Sequence, residues 1–210
     1  MASVTKKSYK VLILCGQTGT GKTSIAFEYA KRSPLVRVID ARKMQKQTLS
    51  MIIRTPESSF SHSNSYKTAF DDGEDVLTFG QMLDDYYVNV RFNTPAWYVW
   101  AAEVKHRIDE ELKKAGEQQL TFVIDDVVSF DECQFLLAEA QCGAIVYVHG
   151  YPGEYKRTQP ERATSNFIDH IAEKVTSKIS AQRKKAETFE QCMFRCANEM
   201  EKIEKSLVPV

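Results

Sequence analysis

Val11-Leu12-Ile13-Leu14-Cys15-Gly16-Gln17-Thr18-Gly19-Thr20-Gly21-Lys22-Thr23 decides how the chain is read. A short apolar run enters a glycine-rich turn, and Ser24-Ile25-Ala26-Phe27-Glu28-Tyr29-Ala30 continues as a helix. The pattern G-x-x-x-x-G-K-T is complete from Gly16 to Thr23, in the strand–turn–helix setting that a P-loop requires. Its glycines free the backbone to turn and aim N–H groups at an anion, and the helix N-terminus adds its positive dipole end. Gly16, Gln17, Thr18, Gly19, Thr20, Gly21, Lys22 and Thr23 are therefore the candidate nucleotide-binding residues. Lys22 brings a charge for the β- and γ-phosphates, and the Thr23 hydroxyl suits Mg²⁺. The motif predicts a bound nucleoside triphosphate, with ATP and Mg²⁺ as cofactors. It does not say what receives the phosphoryl group.

The remaining composition narrows the choice. A chain of 210 residues fits one α/β domain, or one domain with an inserted lid. Lys and Arg number 28 and so do Asp and Glu, so no global basic field recruits nucleic acid, which disfavours helicases and packaging motors. The N-terminus shows no apolar run of signal or membrane length, and a cytoplasmic protein without a membrane partner is expected. Five cysteines, Cys15, Cys133, Cys142, Cys192 and Cys196, are an odd number and read as reduced core thiols.

Working outward, Val11–Leu14 is the first strand and the first helix runs from Thr23 to about Arg32. Val36–Ile39 is a second strand ending at Asp40, and Ala41–Ile53 has the apolar spacing of a helix on a sheet. Residues from Thr55 to about Asp75 turn polar and serine-rich, and are expected as a long loop or insertion. Helices are expected over Leu77–Asn89 and from Ala96 to about Lys114, the second capped by Thr94 with Pro95. Leu120–Asp126 is an apolar strand ending in two acids. A helix over Asp131–Gln141 and a strand over Ala144–Val148 follow; Val175–Ser180 reads either as a last strand or as part of a helix. Phe189, Cys192, Met193, Cys196, Met200, Ile203 and Leu207 form the apolar stripe of a long C-terminal helix. That stripe suits docking onto the sheet, and also permits a homodimer. The element order predicts a parallel sheet covered on both faces.

Asp125 and Asp126 end the strand that follows the P-loop by about a hundred residues, where an acid typically serves Mg²⁺. A hydrolytic motor also needs a group that activates water, often a glutamate after the metal-side aspartate; here the following residues are Asp126 and Val127. Transfer to a nucleoside monophosphate asks less. The acceptor is already an oxyanion, so positioning and cations carry the chemistry. Lys156, Arg157 and Arg162 are placed to close over the transfer, and Arg91 lies in an aromatic-rich segment with Trp97, where a ring can stack a base and a guanidinium can grip a phosphate.

Several blocks in order then resemble the bacteriophage-type deoxynucleoside monophosphate kinases, within the P-loop nucleoside monophosphate kinase superfamily. They are Ile39-Asp40-Ala41-Arg42-Lys43 after the second strand, Gln81-Met82-Leu83 with Arg91-Phe92 and Trp97, and Phe122-Val123-Ile124-Asp125-Asp126 with Asp131-Glu132. Gly143–Val148 with Pro152-Gly153, and His170-Ile171-Ala172-Glu173, complete the set. The resemblance implies a three-layer α/β/α P-loop kinase fold with a mainly parallel sheet. It also implies an acceptor-binding helical insertion at about 55–115, a lid at about 149–165 and a C-terminal helix at about 181–207. It makes Asp126 the counterpart of the family's strand-end aspartate, and Asp40, Lys43, Arg91 and Trp97 the acceptor side. Thr23, Asp125 and Asp126 would hold the metal. The family's arginine two residues after the aspartate is Val128 here, and its lid arginine falls near His149-Gly150, leaving Lys156 or Arg157 to substitute.

The expected activity is ATP- and Mg²⁺-dependent phosphoryl transfer to a (deoxy)nucleoside monophosphate, with no stable nucleic acid partner. The alternatives are a small DNA-directed ATPase and a nucleotide-binding protein without turnover.

Overall fold

The computed structural model describes residues 7–17, 19–60, 67–71, 76–91, 97–125, 127, 129–151, 170–175 and 177–208. It divides into two compact units, one of residues 1–40 with 101–210 and one of residues 41–100.

The first unit is built on five strands: β1 (Lys7–Cys15), β2 (Val36–Asp40), β5 (Leu120–Asp125), β6 (Ala140–His149) and β7 (Ser177–Ser180). They pair in the order β2-β5-β1-β6-β7, and every pairing is parallel. Parallel strands need crossover helices, and these cover both faces. On one face lie α1 (Lys22–Ala30) and the C-terminal helix α6 (Phe189–Ser206). There Leu12, Leu14, Val123, Val146 and Val148 pack with Ile25 and Ala26 of α1 and with Cys192, Met193, Cys196 and Met200 of α6. The alternate residues Tyr9, Val11, Ile13, Phe122 and Ile124 point the other way. On that side stand the later turns of α4 (Trp97–Ala115) and α5 (Phe130–Leu137), with Ala101, Val104, Ile108, Cys133 and Leu136 buried. Lys105 of α4 pairs with Glu139 at 2.5 Å and lies over the Phe135 ring, joining the two helices.

In the second unit α2 (Ala41–Ile52) is followed by a 3-10 turn (Glu57–Phe60) and the antiparallel pair β3 (Thr68–Asp71) and β4 (Val76–Thr78). Helix α3 (Phe79–Arg91) completes it. Leu49, Phe60 and Leu83 form its small core, with Phe60 and Phe79 edge to face at 5.5 Å. Thr78 and Gln81 cap α3 reciprocally.

Four expectations are corrected. The polar stretch expected as loop or insertion contains the Glu57–Phe60 turn and part of a hairpin. The helix expected over Leu77–Asn89 spans Phe79–Arg91, because Val76–Thr78 is strand, paired with β3. Helix α5 stops at Leu137 and β6 starts at Ala140, because Ala140 and Cys142 pair with Lys7 and Lys10 of β1. The reading left open over Val175–Ser180, strand or helix, is not a correction but is decided for 177–180, which are strand paired with Val146–His149. The helix expected from 181 begins at Phe189, where Thr188 and Gln191 form a capping box. The apolar stripe of that helix is docked: Cys192, Met193, Cys196 and Met200 are buried against the sheet. Among the described residues no helix is long and apolar enough to cross a membrane.

Candidate functional site

The site is assembled where β1 ends. In an open parallel sheet, ligands bind outside the carboxyl ends of the strands, where neighbouring connections leave for opposite sides. β1 is the central strand, flanked by β5 and β6, and its carboxyl end runs straight into the glycine turn. Gly16 sits at φ +143° with the Val148 carbonyl of β6 in the space a Cβ would take. Only glycine lets the turn press so closely against the neighbouring strand. Thr20 closes the turn, its Oγ1 donating to the Gln17 carbonyl at 2.8 Å.

Gly21, in the left-handed conformation at φ 85°, is the N-cap of α1. No side chain caps this end and no acid lies in its first turn. The first amides of α1 are therefore left to meet an anion from outside. Lys22 is buried, and its Nζ donates to the carbonyls of Gly16 at 2.7 Å and Gln17 at 3.1 Å. These bonds hold the ammonium over the mouth of the loop. An arriving phosphate would exchange neutral carbonyl partners for a charged one, a stronger type of hydrogen bond.

Thr23 Oγ1 donates to Asp125 Oδ2 at 2.5 Å. Asp125 is the last residue of β5 and fully buried. The structure thus joins two of the three predicted metal ligands, one from the P-loop helix and one from the adjacent strand. A hydroxyl and a carboxylate are the oxygen donors a hard cation takes, so the pair fits Mg²⁺. Asp126 lies outside the described residues, and Asp125 is the acid that meets Thr23. Asp40, half-buried at the end of β2, is the in-register Cα partner of Asp125. Lys43 is exposed in the first turn of α2. Arg91 is the last residue of α3 and Trp97 the first of α4; what was expected of their side chains lies outside the described residues, as do Thr18, Lys156, Arg157 and Arg162.

One neighbour of the P-loop, with the residues that hold it in place, is not signalled by the sequence motifs. Tyr151, two residues beyond β6, donates its hydroxyl to Gln17 Oε1 at 3.1 Å. Its amide donates to Gln182 Oε1 at 3.4 Å. The loop carrying Gln182 is held by Arg195 of α6, which donates to the carbonyls of Ser180 at 2.8 Å and Gln182 at 2.9 Å. Glu187 pairs with Arg195 at 2.9 Å, and this bond pulls the Glu187 carboxyl down to about 2. The available signal was position alone: 151 and 182 follow strands whose carboxyl ends lie on the P-loop side. Cys15, beneath the loop, is chemically quiet, since burial pushes its thiol up to about 12.

No protein-family model matches the chain, and no curated protein matches its sequence. Solved structures do match. TT1252 from Thermus thermophilus aligns with a TM-score of 0.51 at 14% identity, over 94% of this chain and 98% of that one. A gluconokinase from Sinorhizobium meliloti 1021 gives 0.48 at 13% identity, over 95% and 98%. A shikimate kinase from Acinetobacter baumannii in complex with shikimate gives 0.46 at 10% identity, over 94% and 93%. At such identity the likeness to TT1252 is one of fold.

Proposed function

We propose that this chain transfers the γ-phosphoryl group of ATP to a (deoxy)nucleoside monophosphate. The observation that carries the proposal is the P-loop at the carboxyl end of β1, with Lys22 over its mouth and Thr23 bonded to Asp125. The P-loop amides and Lys22 hold the donor phosphates. Thr23 and Asp125, with Asp126 next in the chain, hold Mg²⁺, which when bound neutralises charge on the donor phosphates. Asp40, Lys43, Arg91 and Trp97 frame the acceptor, and Lys156, Arg157 or Arg162 close over the transfer.

An oxygen of the acceptor monophosphate forms the new bond to the γ-phosphorus as the bond to the β–γ bridging oxygen breaks. ADP and a nucleoside diphosphate result. The acceptor oxygen needs no strong base, so in-line positioning and cations carry the rate. Val127, where a motor would place its water-activating acid if Asp126 met the metal, is apolar and buried.

The test is to incubate the protein with ATP-Mg²⁺ and a panel of ribo- and deoxynucleoside monophosphates and follow diphosphate formation, with Lys22→Ala as control. Diphosphate from at least one acceptor, lost in the control, is expected. ATP hydrolysis stimulated by DNA, with no diphosphate from any acceptor, would replace this reading with a DNA-directed ATPase. Binding of ATP with neither reaction would leave a nucleotide-binding protein.

A further inference from the structure

Helix α2 carries a polar side chain where its pattern asks for an apolar one. Ala41, Gln45 and Leu49 are spaced by four and share one stripe of the helix. All three are buried, with Met44 beside them. Gln45 keeps 2% of its surface exposed. Among the described residues, neither its Nε2 nor its Oε1 has a hydrogen-bond partner. Buried polar side chains are paired in the great majority of cases, because an unpaired one forfeits its bonds to water and gains nothing in return. A methionine or leucine would serve this stripe with equal or better helix propensity and no such penalty. An amide kept here at the expense of stability is what a recognition site demands rather than what packing favours.

Its place in the chain agrees. Helix α2 begins directly after Asp40, whose strand neighbour is Asp125. Gln45 therefore follows, by five residues in the chain, the strand end assigned above to the acceptor side. A carboxamide offers a donor and an acceptor side by side. Its complement is a ligand edge carrying the reversed pair, such as the edge of a nucleobase. A phosphate, having no donor when ionised, would satisfy only half of it.

We infer that Gln45 is a specificity-determining residue that reads the donor–acceptor edge of the acceptor's base. This rests on the acceptor reading given under Proposed function. Both amide atoms are shielded from solvent, and their hydrogen-bonding capacity is left for a ligand.

The experiment compares wild type with Gln45→Met and Gln45→Glu in thermal unfolding, in direct ATP binding and in initial rates across the monophosphate panel. Gln45→Met is expected to raise Tm by about 2–4 °C, since it removes an unpaired buried amide. It should also raise KM for the favoured acceptor by about tenfold, flatten the preference among bases, and leave the Kd for ATP unchanged. Gln45→Glu keeps the acceptor atoms and loses the donor, so it should shift the order of preferred bases. A structural role cannot raise stability and weaken one ligand together. A lower Tm in Gln45→Met overturns the inference, because the amide then has a partner in the folded protein. So does a raised Tm with KM and base preference unchanged, while wild-type turnover leaves the proposed function standing. If the wild type converts no monophosphate, the proposed function falls and this inference with it.

Discussion

Helix α1 serves opposite purposes at its two ends. Its first turn carries Lys22 and Thr23, whose polar partners are the loop's own carbonyls and Asp125. Its last turn carries Tyr29, and Arg32 follows just beyond; their partners come from α6. Tyr29 donates its hydroxyl to Glu204, and Glu204 also accepts from Thr121 at 2.7 Å and Lys10 at 3.4 Å. Arg32 donates to Asn198 at 2.6 Å and lies 4.6 Å from the centre of the Phe194 ring. One strand face shows the same division. Thr121, Val123 and Asp125 share a side of β5, with Thr121 bonded to Glu204, Val123 in the core and Asp125 bonded to Thr23. Roughly 13 Å of strand separates the two polar contacts. The site end leaves groups for a ligand to claim; the anchor end uses its groups on the protein itself. Activity should respond to the first and stability to the second.

The substitution expected to do most damage breaks both at once. Gly16→Ala would drive a Cβ into the Val148 carbonyl at a positive φ, displacing the P-loop or β6. ATP binding should vanish in a fluorescent-nucleotide titration, and Tm should fall as well. Next, Lys22→Ala should isolate the site end: phosphoryl transfer falls by about 10³-fold, while the unfolding midpoint barely moves. A comparable loss of stability would show that the two ends are not separable.

Glu204→Gln should isolate the anchor end. Weakening hydrogen bonds from Tyr29, Thr121 and Lys10 should cost about 2 kcal/mol in denaturant unfolding, with kcat unchanged in the folded protein. The pH dependence sharpens this. Burial works to raise the Glu204 carboxyl, but the hydrogen bonds of Tyr29 and Thr121 and the Lys10 charge prevail, and it ends below the ordinary glutamate range. A carboxyl lowered on folding contributes stability in full above that ordinary range, near pH 4–5, and loses it as pH falls through the folded value. The wild type should therefore lose Tm through this acid window more steeply than Glu204→Gln. Tyr29→Phe is the mildest change, removing one hydroxyl from the cluster, and should cost about 1 kcal/mol. Loss of activity from either anchor variant, at temperatures where it is folded, would erase the distinction.

The site end was the more legible from sequence, for a physical reason. A P-loop is a local object: its turn, its glycines and its lysine lie within eight consecutive residues, and the flanking strand and helix are visible in the apolar pattern. The anchor is non-local, and nothing near Tyr29 announces Glu204. The boundary between α5 and β6 was misplaced for the same reason, since residues 138–141 are helix-compatible and only pairing with β1 makes Ala140 strand. The segment 181–188 is loop where the resemblance implies helix, and its partner is non-local: Arg195, more than ten residues away in the chain, holds the Gln182 carbonyl. The choice between Asp125 and Asp126 also escaped the sequence, because it depends on which side of β5 faces Thr23. Gln45 was passed over because a single glutamine in an amphipathic helix looks ordinary until its burial is known.

All five cysteines are buried in the folded chain, and burial holds the Cys15 and Cys196 thiols near 12. They lie in different parts of the first unit: Cys15 at the end of β1, Cys133 in α5, Cys142 in β6, Cys192 and Cys196 in α6. The protein thus carries its own stopwatches. A thiol-modifying reagent reacts with each only when the surrounding structure opens, so the order in which the five are labelled gives the order in which the elements come apart. If α6 releases first, Cys192 and Cys196 will be labelled while Cys15, at the foot of the P-loop, is still unreacted.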